Sequence, residues 1–453
     1  MPQVLKNLGF SPLALFQLAL ITVNAQLIYA FWDIRNTLPK DFPTAMGVTD
    51  AQAGQLYAMQ GLVILLGTIA LGWIGDRFSI RSIMLIATMG VGAISLFITV
   101  SSPNLSFPVL LICFFSMLLL SEVLFKPANF KAVRISTTEE HQGAAFGFFE
   151  FGRGLLAFLI SLLWTAMIGA DASPKTIMMT ASIIVLVTGI AVYFVVPKDT
   201  RVGDDEEVTV SSTKEAIKGV AEVAKLPVVW VAGINVFCIY GTFVAAGTYF
   251  ARFLQAGYGT SAVAAAAFAT TVIALRMLPL VSTILVEKVF KTATRFMRAM
   301  EVVLAVLLVI IAVMFYTNPA SVSEFPAGQA PDGIVSSGVF WTLIVLMLMA
   351  SAVTFMIRGV YYAPIGEFGV PKKQSSSAMS FAITLGYIPA LLAPPTLGAL
   401  ITPAVKDADG TVVTEVLTPT ATLGTAFIGL AILALVAAVL SHILVTMHAK
   451  RAA

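Results

Sequence analysis

Twelve long apolar stretches constrain the fold of this chain more than any other feature of its sequence. A helix needs roughly 20 apolar residues to cross the hydrocarbon layer of a membrane, and each stretch is about that long. Hydrophobic residues make up 58% of the 453 residues and charged residues only 11%, which is unlike a soluble protein. The sequence therefore predicts an all-α membrane protein with twelve transmembrane helices. The predicted spans, numbered one to twelve, lie near residues 11–34, 51–74, 82–101, 107–130, 143–169, 175–196, 228–252, 261–287, 298–317, 337–363, 376–402 and 421–447.

The spans form two groups of six, separated by the one long polar stretch of the sequence. We predict a first six-helix bundle over 1–196, a cytoplasmic linker over 197–227 and a second bundle over 228–453. Most of the 27 lysines and arginines fall in the linker, near the termini and in the loops on that side. Because basic loops stay in the cytoplasm, both termini are expected there. The first apolar stretch lacks a small-residue cleavage site and is expected to remain as span one.

The two halves resemble each other, which is typical of carriers built by duplication. The aligned pairs are Thr49 with Thr260 and Tyr29 with Tyr240 at one constant offset, and Lys126 with Arg358 at a second. One repeat unit is therefore six helices, and the two bundles are expected to be pseudo-symmetric.

A charged loop between spans two and three carries a signature that can be assigned to a family. Within Gly72 to Arg81, the pattern Gly72-x-x-x-Asp76-Arg77 with Arg81 resembles the loop motif of the major facilitator superfamily. Ser79 stands where that family usually has glycine, and Ile80 where it often has a second basic residue. Together with the twelve spans and the central linker, the resemblance implies the fold of that family and transport by alternating access.

The resemblance also implies a role for the loop as a cytoplasmic gate formed by Gly72, Asp76, Arg77 and Arg81. In the family this aspartate lies near the start of span eleven, whose free backbone amides carry partial positive charge. Here that start is expected at Gln374-Ser375-Ser376-Ser377, a run well suited to helix capping. We expect Asp76 to bind there when the carrier is open to the outside. The alternative is that the charged residues of the loop only fix topology.

Two further segments resemble a bacterial branch of the family near the organic-anion and sugar-phosphate carriers. They run from Glu139 to Gly154 and from Arg358 to Pro389. Organophosphate carriers resembling this family hold phosphate with an arginine on each of spans one and seven. Here Arg35 of span one has Ala246 at the equivalent position of span seven, which argues against a sugar phosphate.

Charged residues inside the spans are the strongest indication of function, because a charge at bilayer depth costs a few kcal/mol unless it faces protein or water. Glu122 and Lys126 share a face of span four, and Glu150 and Arg153 share a face of span five. All four are expected in the cytoplasmic half of one helical hairpin, where two ion pairs between the helices would neutralise them. We nevertheless expect Lys126 to act as an unpaired cation.

Arg276 on span eight and Arg358 on span ten have no acid close by in their own spans, so the in-span charge is positive. An excess of positive charge attracts an anion, which predicts a small organic anion such as a carboxylate as cargo. Polar and aromatic side chains of spans one, seven and ten add to the predicted site, although tyrosines within spans are often packing or interface anchors. The predicted substrate-binding residues are Lys126, Arg276, Arg358, Tyr29, Asp33, Asn24, Tyr240, Asn235, Tyr361 and Tyr362.

Proton symport is the predicted driving mechanism, because a carboxylate removed from water takes up a proton more readily. The in-span candidates are Glu122, Glu150 and Asp33, with Glu150 first and Arg153 as its partner in a charge network. Anion exchange, drug/proton antiport and a non-transporting sensor on the same fold are the alternatives. Span five lacks the glycine-and-proline signature of drug exporters, which lowers the antiport alternative.

The sequence gives no support to an enzyme. It has no nucleotide-binding glycine loop and no metal-ligand spacing, and its three histidines lie in a loop or near the end of the chain. We expect no cofactor, no metal and no nucleic-acid partner. The expected partners are a small anion, protons and the lipid bilayer, with the protein a monomer in the inner membrane.

Overall fold

Long helices account for nearly all of the structure. The computed structural model describes residues 12–71, 79–135, 142–195, 222–367, 372–407 and 412–452. A short helix, Asp41–Ala45, follows span one. The helices of the first half are Pro12–Leu27 with Ala30–Thr37 (span one), Asp50–Leu71 (two), Ile80–Ser101 (three), Phe107–Leu118 with the π-helical turn Leu119–Phe125 and Lys126–Ile135 (four), Gln142–Gly169 (five) and Pro174–Val195 (six).

The second half repeats this arrangement with more interruptions. Its helices are Pro227–Val244 with the π-helical turn Ala245–Tyr249 and Phe250–Tyr258 (span seven), Ala262–Ala274 with the 3₁₀ turn Leu275–Met277, Pro279–Leu285 and the π-helical turn Val286–Phe290 (eight), Ala293–Thr317 (nine), Ser337–Arg358 (ten), Lys372–Gly386 with Ile388–Ala399 (eleven) and Thr420–Ala452 (twelve). A short helix, Ala363–Glu367, follows span ten.

Nine helices in the described part of the chain are long and apolar enough to cross a membrane, and two bent pairs raise the number to eleven. The helix at predicted span two, Asp50–Leu71, is 22 residues long but is not among the eleven. The predicted class, an all-α membrane protein, is confirmed.

Two spans bend sharply near Tyr29 and Arg276, two of the predicted substrate-binding residues. Span one bends by 56° between Leu27 and Ala30, and Tyr29 lies in that break. Span eight bends by 40° at Leu278, just after Arg276. The second bend follows from Pro279, which has no N–H to continue the α-helical hydrogen bonds, and a 3₁₀ turn precedes it. Breaks of this kind are tolerated at membrane depth where protein or a cavity surrounds them.

The described residues fall into two compact units. The first lies within Met1–Val48 and Leu62–Val208, and the second within Thr49–Gly61 and Thr209–Ala453. This division departs from the predicted one in that the start of span two packs with the second unit. Two glycines permit that packing. A Cβ atom at Gly54 would overlap the carbonyl of Pro394, and one at Gly61 would overlap the backbone of Leu391.

An aromatic core holds the second unit together. The Phe427 ring lies 5.2 Å from the ring of Phe250, 5.9 Å from that of Phe253 and 5.3 Å from that of Phe315, measured between centroids. All four rings are fully buried. Edge and offset contacts of this kind add to the stabilisation that burial itself provides.

The second unit also contains a small antiparallel sheet that the sequence analysis did not predict. Its strands are β1 (Glu324–Pro326), β2 (Val405–Lys406) and β3 (Val412–Val416), in the order β1-β3-β2. The strands lie in the segments between spans nine and ten and between spans eleven and twelve. β1 and β2 are too short for alternation of polar and apolar residues to reveal them, and the five residues of β3 do not alternate strictly.

Candidate functional site

Two arginines of the second unit converge on one aromatic ring. The Arg358 guanidinium carbon, at the end of Ser337–Arg358, lies 4.0 Å from the centroid of Phe243. The Arg276 guanidinium carbon lies 5.9 Å from the same ring and 5.9 Å from that of Phe355. Arg276 reaches this position from the 3₁₀ turn at the bend of span eight. Spans seven, eight and ten thus each contribute to one cluster.

Tyrosines complete what we call the arginine–aromatic cluster, namely Arg276, Arg358, Phe243, Phe355 and the tyrosines 240, 361, 362 and 387. The Tyr240 ring lies 4.5 Å from that of Tyr387 and 5.2 Å from that of Phe243. The rings of Tyr361 and Tyr362 are 4.4 Å apart. The Tyr361 hydroxyl accepts a hydrogen bond from the Arg358 guanidinium. Five predicted residues, Arg276, Arg358, Tyr240, Tyr361 and Tyr362, are therefore neighbours.

The first unit contains a related but smaller arrangement around Tyr29. Its hydroxyl donates to the carbonyl oxygen of Ser121 at 3.4 Å, and the residue is buried at the bend of span one. Glu122, Lys126, Arg153 and Asp33 are its charged neighbours. Each unit thus places an aligned tyrosine, 29 or 240, beside an aligned cation, 126 or 358.

The expectation that Lys126 is an unpaired cation is wrong. Its ammonium nitrogen lies 3.0 Å from Oε2 of Glu122, one helical turn earlier, and the Glu122 side chain is only 5% exposed. The π-helical turn Leu119–Phe125 contains Glu122 and directly precedes Lys126. On span five, Arg153 and Glu150 lie 3.6 Å apart, and the Glu150 side chain is 60% exposed. Glu150 and Arg153 are therefore paired within span five, and the role of Glu150 as a proton site stays a prediction.

The remaining predicted residues of spans one and seven form hydrogen bonds within their own units. Oδ2 of Asp33 accepts from Gln26 at 2.9 Å and its Oδ1 from Asn36 at 3.2 Å. Asn24 is buried and bonds to Thr88 of span three.

Asn235 is directed toward a residue that the sequence analysis missed. Its amide nitrogen donates to Oε1 of Glu301 at 2.9 Å, and both side chains are fully buried. Predicted span nine, 298–317, contains Glu301, so the signal was present as an acid within an apolar span.

The gate motif falls mostly outside the described residues, which exclude Gly72, Asp76 and Arg77. The Arg81 guanidinium carbon lies 4.0 Å from the centroid of the Tyr193 ring, so Arg81 packs on span six. Ser79 is the N-cap of span three, because its hydroxyl accepts from the backbone N–H of Ser82. The predicted contact between Asp76 and Gln374–Ser377 stays a prediction.

A buried ion pair links the start of span two to span seven within the second unit. Arg252 donates from Nε to Oδ1 of Asp50 and from Nη2 to Oδ2, each at 2.7 Å. The side chains are 9% and 17% exposed. A bidentate pair at these distances is among the stronger polar contacts that proteins make.

A family model described as Major Facilitator Superfamily matches residues 18–394. Two curated proteins of Escherichia coli K12 are similar at 22% identity. Inner membrane protein YihN aligns over 380 residues, 82% of this chain and 84% of its own, and inner membrane protein YqcE over 363 residues, 78% and 79% respectively.

Solved structures share the fold at low identity. A point mutant of the nucleoside transporter NupG matches with a TM-score of 0.72 at 12% identity, over 96% of this chain and 99% of its own. A bacterial homologue of the human lysosomal transporter Spinster matches with a TM-score of 0.72 at 14% identity, over 97% and 98%. A D-xylose-proton symporter matches with a TM-score of 0.63 at 13% identity, over 93% and 97%.

Proposed function

The chain belongs to the Major Facilitator Superfamily, and on that premise we propose that it carries a small organic anion across the inner membrane. Members of this family are secondary transporters and not enzymes. The likeness of the sequence to proteins named inner membrane protein, and the many apolar helices, make this a multi-pass protein of that membrane. The cargo and the driving ion are what the proposal adds.

The observation that carries the proposal is the convergence of Arg276 and Arg358 on Phe243. Both guanidinium carbons are measured to the same ring centroid, so they lie no more than about 10 Å apart. At an effective dielectric of about 20, two positive charges at that distance repel each other by roughly 2 kcal/mol. An anion bound beside both arginines would replace this repulsion with attraction.

The partners of Arg358 support the same conclusion. Within the described residues, no carboxylate lies at ion-pair distance from its guanidinium, which instead packs on Phe243 and donates to Tyr361. A guanidinium carries five N–H donors in a planar fork, and a ring face and a phenol leave several of them for a carboxylate. The surrounding tyrosines favour an anion that also carries a ring or hydroxyl groups.

Proton symport remains the proposed driving mechanism, and anion exchange is the second candidate. Exchange of one anion for another needs no proton site, so it is compatible with the ion pair between Glu150 and Arg153. The resemblance of two segments to a branch near the organic-anion carriers supports an anionic cargo in either case.

Thermal stabilisation of the purified protein tests the cargo. A ligand that binds the folded state raises the melting temperature, and the panel is a set of mono- and dicarboxylates, inorganic phosphate, neutral sugars and organic cations. We expect stabilisation by at least one carboxylate, its loss in Arg358→Gln and its partial retention in Arg358→Lys. Arg295→Gln, which removes an exposed arginine of the same unit, is the matched control and should respond as the wild type does.

Stabilisation by cations alone would remove the proposal. So would carboxylate stabilisation of equal size in wild type and Arg358→Gln, because the arginine–aromatic cluster would then not be the binding site.

A further inference from the structure

Glu301 is a fully buried carboxyl group surrounded by neutral groups from three spans. It lies on span nine and receives hydrogen bonds from Asn235 of span seven and Ser441 of span twelve. The Asn235 amide nitrogen lies 2.9 Å from Oε1 of Glu301, 2.9 Å from the carbonyl oxygen of Ala437 and 3.0 Å from Oγ of Ser441. Asn235, Glu301 and Ser441 are each 0% exposed.

The donors and acceptors of this cluster do not balance if Glu301 is ionised. Its second oxygen, Oε2, and Oδ1 of Asn235 are both buried without a hydrogen-bond partner. Both atoms are acceptors, so neither can satisfy the other. A proton on Oε2 would turn that oxygen into a donor, and a carboxylic acid and a carboxamide can then exchange two hydrogen bonds. Unpaired buried acceptors cost free energy that this arrangement recovers.

The first unit contains the neutral counterpart of this pair. Asn24, which aligns with Asn235, donates to Oγ1 of Thr88 at 3.3 Å, and its Oδ1 lies 3.4 Å from the same hydroxyl. In both units the asparagine comes from the first span of the repeat and its partner from the third. A threonine hydroxyl both donates and accepts, as a protonated carboxyl does, whereas a carboxylate only accepts. Glu301 therefore matches Thr88 in the protonated form.

The charges around Glu301 do not favour its ionised form either. Among the described residues no cation lies at ion-pair distance from it, and the titratable group that interacts with it is the buried thiol of Cys238. An isolated carboxylate inside protein at membrane depth is costly. Among the side chains that the structure describes on elements packed against span nine, the other charged or titratable groups include Arg298 and His442, which bond to each other, and Glu367, which accepts from the N–H of Ala293. They also include Arg358 in the arginine–aromatic cluster and the exposed Glu287, Lys288 and Arg295.

We propose that Glu301 is a proton-binding site, whose carboxyl is protonated when spans seven, nine and twelve are packed as described here. Span seven carries both Asn235 and, within three helical turns, Tyr240 and Phe243 of the arginine–aromatic cluster. If span seven moves so that Asn235 separates from Glu301, the Glu301 proton loses its hydrogen-bond acceptor and can be released. A role of this proton in driving anion uptake rests on the proposed function. The protonation of Glu301 does not depend on it.

Infrared spectra of the purified protein without substrate, compared between the wild type and its variants, test the site. Near neutral pH the wild type should display the carbonyl band of a protonated carboxylic acid, which Glu301→Gln should lack. Glu150→Gln, which changes an exposed carboxyl group, should keep the band. Ser441→Ala leaves the carboxyl in place but removes a hydrogen bond to it, so the band should shift in frequency. This variant also covers the case in which Glu301→Gln fails to fold.

Proton release on unfolding gives a second readout. At neutral pH an exposed glutamate is ionised, so unfolding should release one proton more from the wild type than from Glu301→Gln. Glu301 binds a proton in the folded wild type that it loses on unfolding, so this group lowers the stability as pH rises, and its contribution to the slope should be absent in Glu301→Gln. An acid band that Ser441→Ala does not move, or that persists in Glu301→Gln, would overturn the proposal, as would equal proton release. Neither measurement requires a bound substrate, so both can be interpreted even if no carboxylate stabilises the protein.

Discussion

Breaking the ion pair between Asp50 and Arg252 should destabilise the protein substantially. Both bonds are 2.7 Å long and the two side chains are largely buried. Removal of one partner from a buried pair costs about 3–5 kcal/mol, because the other charge is left without compensation. The 17% exposure of Asp50 gives that charge some access to solvent, so we expect a loss near the lower value, about 3 kcal/mol, for Arg252→Met.

The measurement is a double-mutant cycle on unfolding in mixed micelles, with Arg252→Met, Asp50→Asn and the double variant. A thiol-reactive dye reports unfolding through Cys238, which is buried, in a background where the partly exposed Cys113 is replaced by serine. Because the double variant leaves no uncompensated charge, it should lose far less than the sum of the single changes. A coupling free energy below about 1 kcal/mol, within the range of exposed pairs, would refute the reasoning.

Two further predictions concern packing and capping. Gly54→Ala should lower the melting temperature by several degrees, because the added Cβ meets the backbone carbonyl of Pro394; Gly429→Ala, where the Cβ meets nothing, should be neutral or stabilising. Ser79→Ala should destabilise span three by about 1 kcal/mol in the same unfolding assay, whereas Ser106→Ala should change little, because the Ser106 side chain makes no capping hydrogen bond. Equal effects within either matched pair would contradict the corresponding argument.

The fold could be predicted from the sequence because its strongest signal is collective. Each span needs only enough apolar residues in a row, so single polar positions do not alter the pattern. The bend of span eight was equally available, since Pro279 follows Arg276 by three residues, but the length of the apolar stretch concealed it. The assignment of Thr49–Gly61 to the second unit could not be predicted. It depends on contacts with residues far along the chain, which local composition does not record.

The candidate site could be predicted in part from the sequence, and the errors in that prediction have a common cause. Arg276, Arg358 and the tyrosines were found because each is unusual at its position within a span. Lys126 was misjudged although Glu122 lies one turn away, since spacing alone does not decide between a pair within one helix and a cation directed elsewhere. Glu301 was overlooked although it lies within predicted span nine. Its importance depends on three helices meeting, which only the structure reveals.

The position of Gly54 and Gly61 has a consequence for the biogenesis of the protein. The start of span two packs on the backbone of span eleven, and Asp50 pairs with Arg252 of span seven. During synthesis this segment leaves the ribosome long before either partner exists, so its final packing must wait until most of the chain has been inserted. A gene divided at the linker would separate the segment from its partners. The N-terminal and C-terminal fragments would have to be made in the same cell and meet in the membrane before the C-terminal fragment could complete its fold.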